Sequence, residues 1–162
     1  MKKQNMISEK KNLFNTYLNE GMRDVTTFAS IGFNVLLVII FYIAGLTQLA
    51  NAIVFGVVLV YVVAILIRSV YFKQRPNSVF YHNWLEKIDA GSFPSVHSAR
   101  IFLLVTILSY PYTDYLMTIF LFLLAIFVGY SRVYLKKHYW SDVLAGMIFG
   151  TIIGAILAYA ML

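Results

Sequence analysis

Apolar stretches organise this chain, running over about residues 29–46, 49–67, 101–112, 115–130 and 143–162. An α-helix rises about 1.5 Å per residue and needs roughly 20 apolar residues, within a range of about 17–25, to cross a bilayer. Four of the stretches meet that requirement directly. The third meets it when extended back to Ser98, with tilt or local thinning of the bilayer absorbing the difference. Short polar connections, Thr47-Gln48 and the turn from Pro111 to Asp114, make neighbouring helices antiparallel hairpins. The pattern predicts an all-α integral membrane protein whose residues 29–162 form one domain of five transmembrane helices, with no internal repeat.

The first 28 residues follow a different rule. Phe14, Tyr17, Leu18, Gly21, Val25 and Phe28 fall on one helical stripe, with Lys, Asn, Glu and Arg elsewhere. Residues 1–28 therefore read as an amphipathic interfacial helix whose Lys2, Lys3, Lys10 and Lys11 suit an anionic membrane surface. A helix packed on the flank of the bundle would show the same stripe. The basic start leads into polar residues and not a compact apolar run, so a cleaved signal peptide is not expected.

Composition agrees with the hydropathy pattern. Of 162 residues, 60% are hydrophobic and 12% charged, with a mean hydropathy of +0.76. The absence of cysteine excludes disulfides, thiolate metal sites and cysteine nucleophiles. In this setting the net charge of +6 points to membrane lipids with anionic headgroups or to a phosphate-bearing ligand, and not to nucleic acid. Five alternating spans put the N-terminal segment, residues 68–100 and residues 131–142 on one face. All 13 lysines and arginines lie there, while the only charged side chain of the opposite face is Asp114.

Three short blocks on the basic face carry candidate chemistry. In "RSVYFKQRP", Arg68 and Arg75 are seven residues apart and share a helix face if the helix runs on to Pro76. Their guanidinium forks match phosphate oxygens, although basic residues at a span end also simply snorkel to headgroups. In "SFPSVHSAR", Ser95, Val96 and His97 stand at the start of the third span, where free backbone N–H groups and the helix dipole favour an anion. Ser95 adds a hydroxyl and His97 a proton donor; equally, Ser95 serves as an N-cap and His97 as an interfacial polar group. In "SRVYLKKHYWSD", His138 and Asp142 are one helical turn apart and Arg132 arrives from the preceding helix. A carboxylate on one imidazole nitrogen would leave the other as a nucleophile, whereas a helix-start ion pair beside a solvated basic loop is the plainer reading.

Together the blocks read Arg-x6-Arg-Pro, Pro-Ser-x-His and Ser-Arg-x5-His-x3-Asp, and over residues 68–162 the chain resembles the type 2 phosphatidic acid phosphatase superfamily, in its membrane lipid phosphatase branch. That family usually shows Lys-x6-Arg-Pro, Pro-Ser-Gly-His and Ser-Arg-x5-His-x3-Asp. The third block matches at Ser131, Arg132, His138 and Asp142, while Arg68 replaces the usual lysine and Val96 the usual glycine.

The resemblance implies a metal-independent phosphatase without cofactor. His138, oriented by Asp142, attacks phosphorus to form a phosphohistidine; Arg68, Arg75, Arg132, Ser95 and the Val96 amide bind the phosphate; His97 protonates the leaving oxygen and later activates water. Glu86, Asp89 and Asp142 are too scattered for a two-metal cluster. The substrates it implies are lipid phosphates or pyrophosphates: undecaprenyl pyrophosphate, phosphatidylglycerophosphate, phosphatidic acid or lipid A 1-phosphate. Halide oxidation is disfavoured because relatives with that activity are soluble. A non-catalytic protein binding anionic lipids would use the same basic face without needing His97, His138 and Asp142. The expected location is the inner (cytoplasmic) membrane. There the positive-inside rule turns the site inward, whereas the family's usual substrates turn it to the extracytoplasmic face, which is the orientation expected here.

Overall fold

The computed structural model describes residues 2–78, 80–111 and 114–162, with side chains described from Asn12 onward. Among these residues the chain is helical without strands: α1 Lys2–Thr26, α2 Ile31–Ile43, α3 Thr47–Val70, α4 Trp84–Ala90, α5 Val96–Ser109, α6 Tyr115–Tyr134 and α7 Trp140–Met161. Helices α3, α6 and α7 are each long and apolar enough to cross a membrane. The stretch Asn12–Ala29 and α2 reach that length only together, as a pair bent by 45°.

The bend corrects the expectation of one uninterrupted helix over residues 29–46. After a short 3-10 turn at Thr27–Ala29, Ser30 is extended and its hydroxyl accepts the Phe33 N–H at 3.1 Å, which starts a new helix. That helix stops early because Gly45, at φ 77°, supplies a left-handed turn. The Gly45 and Leu46 N–H groups donate back to the Tyr42 and Phe41 carbonyls, so the turn falls ahead of Thr47-Gln48. Helix α2 consequently has 13 residues.

Helix α5, with 14 residues spanning about 21 Å, is one residue longer than α2 and shorter than α3, α6 and α7. It is also the centre of the fold. Ile101, Leu103, Val105 and Ile107 are buried around its circumference, and α3, α6 and α7 enclose it. A helix buried on every side has no lipid-facing stripe to match to the bilayer thickness. Its closest neighbour is α7, where a Cβ on Gly150 would collide with the Ala99 carbonyl, so only glycine permits this approach. The contact brings the start of α7 against the start of α5, and the Ser95 N–H donates to the Asp142 carbonyl at 3.0 Å.

Helix α1 lies along α6 with Met22 buried. Of the predicted stripe, Leu18 and Val25 are half-buried, whereas Phe14, Tyr17 and Phe28 remain exposed. The side chains of Lys2, Lys3, Lys10 and Lys11 lie outside the described residues.

Two further boundaries differ from the sequence reading. Helix α3 ends at Val70, and residues 71–75 are without helix, so Arg68 and Arg75 are not two helical turns apart. Arg75 precedes a proline, which disfavours helical backbone, and the Ser92 N–H pins this non-helical segment through the Lys73 carbonyl at 2.7 Å. Helix α6 continues four residues past Tyr130, carrying Ser131 and Arg132 in its last turns. The Ser131 hydroxyl donates to the Val128 carbonyl at 2.6 Å and so satisfies itself inside the helix.

Candidate active site

The C-terminal ends of α3 and α6 meet the N-terminal ends of α5 and α7 on one face, and a cavity of about 420 Å³ opens there. Its wall includes Arg68, Arg75, Val96, His97, Arg132 and His138, six of the eight residues expected from the sequence, together with Tyr61, Asp89 and Arg100. Three separate blocks of sequence thus converge although the route of the first differs from expectation.

His138 occupies the loop of residues 135–139 and is only 3% exposed. Its Nδ1 lies 2.8 Å from the Ser92 carbonyl oxygen. A carbonyl only accepts, so Nδ1 carries the proton and Nε2 keeps its lone pair. Burial first, then the Arg132 guanidinium and more weakly Arg75, push the His138 pKa down to about 3 against the pull of the Ser92 carbonyl and Asp142. The ring is therefore neutral at physiological pH, as a nucleophile must be.

Asp142 departs from the expected direct hydrogen bond to His138. Its Oδ2 is 3.9 Å from Nδ1, beyond hydrogen-bond reach. The carboxylate instead accepts from the Ser92 hydroxyl, from the Tyr139 N–H at 2.9 Å and from Lys73 Nζ at 2.6 Å. Lys73 also donates to Ser141 Oγ at 2.8 Å and lies 4.6 Å from the centre of the Tyr139 ring. Ser92 links the pieces, since its carbonyl holds the imidazole while its hydroxyl holds the carboxylate. Neither Ser92 nor Lys73 was singled out by the sequence motifs, although Lys73 lies inside the first block and Ser92 opens the second.

Ser95 also departs from expectation. It caps α5, its Oγ accepting from the Ser98 N–H at 3.4 Å and lying 3.0 Å from the Ser98 hydroxyl, and it is buried off the cavity wall. Val96 is the first residue of α5, and the helix leaves its amide without an intrahelical acceptor. Among the described residues positive φ is confined to Lys136 and Gly45, so valine in place of the usual glycine introduces no backbone strain.

The arginines are tethered but not exhausted. Arg68 donates from its two terminal nitrogens to the Ile88 carbonyl at 3.1 Å and the Pro94 carbonyl at 2.9 Å. Arg75 donates to the Asp89 carbonyl at 2.5 Å. The Nε atoms of Arg68, Arg75, Arg100 and Arg132 are all buried without a partner among the described residues. Four cations that line one cavity and retain unpaired donors are a chemical match for a multiply charged anion.

The sequence profile of the PAP2 superfamily matches residues 45–162. The chain belongs to the PAP2 superfamily. It is a multi-pass membrane protein and a hydrolase acting on lipid phosphates, of the type 2 phosphatidic acid phosphatase kind. This PAP2 chain is similar to the crystal structure of Aquifex aeolicus LpxE, with 25% identity and a TM-score of 0.74, covering 88% of this chain and 86% of that one. It shares its fold with the first transmembrane PAP2-type phosphatidylglycerolphosphate phosphatase from Bacillus subtilis, at 22% identity and a TM-score of 0.71, covering 89% of this chain and 76% of that one. No curated protein sequence matches the chain.

Proposed function

We propose that this PAP2 chain removes phosphate from a membrane lipid phosphate or pyrophosphate through a phosphohistidine formed on His138. The observation that carries the reading is the His138 Nδ1 held 2.8 Å from the Ser92 carbonyl, which leaves Nε2 free, on the wall of a cavity that four guanidiniums line. Nε2 attacks phosphorus in line while Arg68, Arg75 and Arg132 balance the charge on the equatorial oxygens, with the Val96 amide as a further donor. As Nε2 bonds to phosphorus the ring keeps its Nδ1 proton and becomes positive, and the Asp142 carboxylate at 3.9 Å stabilises that charge. His97 protonates the leaving oxygen, then deprotonates the water that cleaves the N–P bond. The guanidiniums perform the electrostatic work that divalent ions do in other phosphatases.

A lipid substrate follows from place. The cavity sits at one end of apolar helices, so a phosphate entering it leaves its tail in the bilayer. In this reading α2, α3, α5, α6 and α7 make five crossings of the inner membrane and the cavity opens to the extracytoplasmic face. The purified protein should release phosphate from a short-chain lipid phosphate in excess EDTA and should be inhibited by vanadate. Silencing by EDTA with recovery on magnesium would refute the guanidinium mechanism. For sidedness, a cysteine placed at Lys10 should react with a membrane-impermeant thiol reagent in intact cells; labelling only after the membrane is breached would place the site in the cytoplasm.

A further inference from the structure

Arg100 closes the second block but is the one cavity guanidinium, among the described residues, outside the specified positions of the three motifs. It lies in the second turn of α5, three residues and about 4.5 Å beyond His97 toward the membrane interior. It is 3% exposed, on a helix enclosed by protein. Nη1 donates to the Tyr61 hydroxyl at 2.8 Å, and the guanidinium stands 5.5 Å from the centre of that ring. Tyr61 precedes Arg68 on α3 by seven residues, about 10 Å of helix, so the pair forms a layer beneath Arg68. Both side chains line the cavity, and the buried Nε of Arg100 has no partner among the described residues.

Pinning α5 to α3 would need only a neutral donor for the Tyr61 hydroxyl. A full charge at this depth is unfavourable unless something anionic answers it. The charge balance of the cavity points the same way. Among the described residues four guanidiniums and the carboxylate of Asp89 line it, a surplus of three permanent positive charges before either histidine is counted. A phosphate monoester brings at most two negative charges, whereas a lipid diphosphate brings three. A lipid whose tail lies in the bilayer and whose terminal phosphate meets His138 holds its other phosphate on the membrane side, at the level of Arg100.

We propose that Arg100, oriented by Tyr61, binds a second phosphate on the membrane side of the scissile one, and that the cavity is built for lipid diphosphates. The inference rests on the phosphatase reading above. Nε2 of His138 forms a bond to the terminal phosphorus, and the bond from that phosphorus to the bridging oxygen breaks. Its electron pair takes the proton that His97 supplies, and Arg100 balances the charge that remains on the lipid monophosphate. Water then cleaves the N–P bond, returning a proton to His97 and releasing inorganic phosphate.

The test compares geranylgeranyl diphosphate with geranylgeranyl phosphate, which share one tail and differ by one phosphate, on the purified full chain in detergent. Wild type should favour the diphosphate in kcat/KM by at least about 10-fold, and Arg100→Met should lower the ratio of the two values by about 10-fold or more. Tyr61→Phe, which keeps the ring and releases the guanidinium, should lower that ratio by about 3-fold and decides the matter if Arg100→Met does not fold. An equal fractional loss on both substrates would make the pair a helix pin and overturn the proposal, as would a wild-type preference for the monophosphate. Release of phosphate from neither substrate by wild type would overturn the phosphatase reading itself, and this inference with it.

Discussion

The imidazole Nδ1 of His138 is held by the backbone carbonyl of Ser92, 2.8 Å away, and not by a side chain. No substitution at position 92 deletes that carbonyl, so the tautomer that exposes Nε2 is fixed by the path of the chain. The non-helical segment 71–75 sets the path by accepting the Ser92 N–H at the Lys73 carbonyl. Asp142 lies behind, holding the Ser92 hydroxyl, and in the proposed mechanism it answers the charge that the ring acquires.

This arrangement predicts a graded response at Asp142 and Lys73. Asp142→Asn removes the charge that stabilises the phosphorylated ring and should lower kcat by about 100-fold or more, without abolishing it, because the Ser92 carbonyl still holds Nδ1. Lys73→Met frees the carboxylate from its 2.6 Å partner and should lower kcat by about 10-fold with a smaller change in KM. Steady-state kinetics on a short-chain lipid phosphate checks both. Equal abolition by the two substitutions would mean that Lys73 holds the fold and not the carboxylate's orientation.

At Arg68 the substitution series separates charge from tethering. The guanidinium reaches two carbonyls, of Ile88 and Pro94, which a lysine ammonium on a single stem cannot span in the same geometry. Arg68→Lys should keep about a tenth or more of the activity, and Arg68→Ala should lose about 10²–10³-fold. An alanine variant as active as the lysine variant would make Arg68 a headgroup anchor.

The depressed pKa of His138 predicts its titration behaviour. With a pKa of about 3 the ring is neutral throughout the physiological range, so its NMR resonances should not shift between about pH 8 and pH 5. Nearby cations disfavour the imidazolium, so removing one raises the pKa toward the ordinary histidine value. Arg132→Gln should therefore move the His138 titration upward, the remaining depression reflecting burial. A wild-type ring that titrates near pH 6.5 would show that Nε2 is not kept neutral in this way.

How far the sequence carried this account depended on which interactions were local. Hydropathy revealed α3, α6 and α7 because each presents an apolar length of its own, and the third block revealed His138 and Asp142 because one helical turn separates them. The break at Ser30 was readable in principle as an N-cap before an apolar run, and α4 as the capping pair Asn83 and Glu86, joined at 2.8 Å. What apolar length could not disclose was that α5 is enclosed by its neighbours, since a buried helix and a lipid-facing one have the same composition. Ser92 escaped because its working group is a backbone carbonyl, which every residue has. Arg100 left a signal, a lone arginine at the head of an apolar stretch three residues after His97, but its meaning required Tyr61, 39 positions away.

The covalent phosphoenzyme proposed on His138 can be trapped chemically. Purified protein quenched in alkali during turnover of a ³²P-labelled lipid phosphate should retain label that is stable to base and labile to acid, as expected of a phosphoramidate, and that maps to the peptide containing His138. His138→Ala should retain none and release no phosphate. Label on another residue, or phosphate release by purified His138→Ala at a rate close to wild type, would contradict the account.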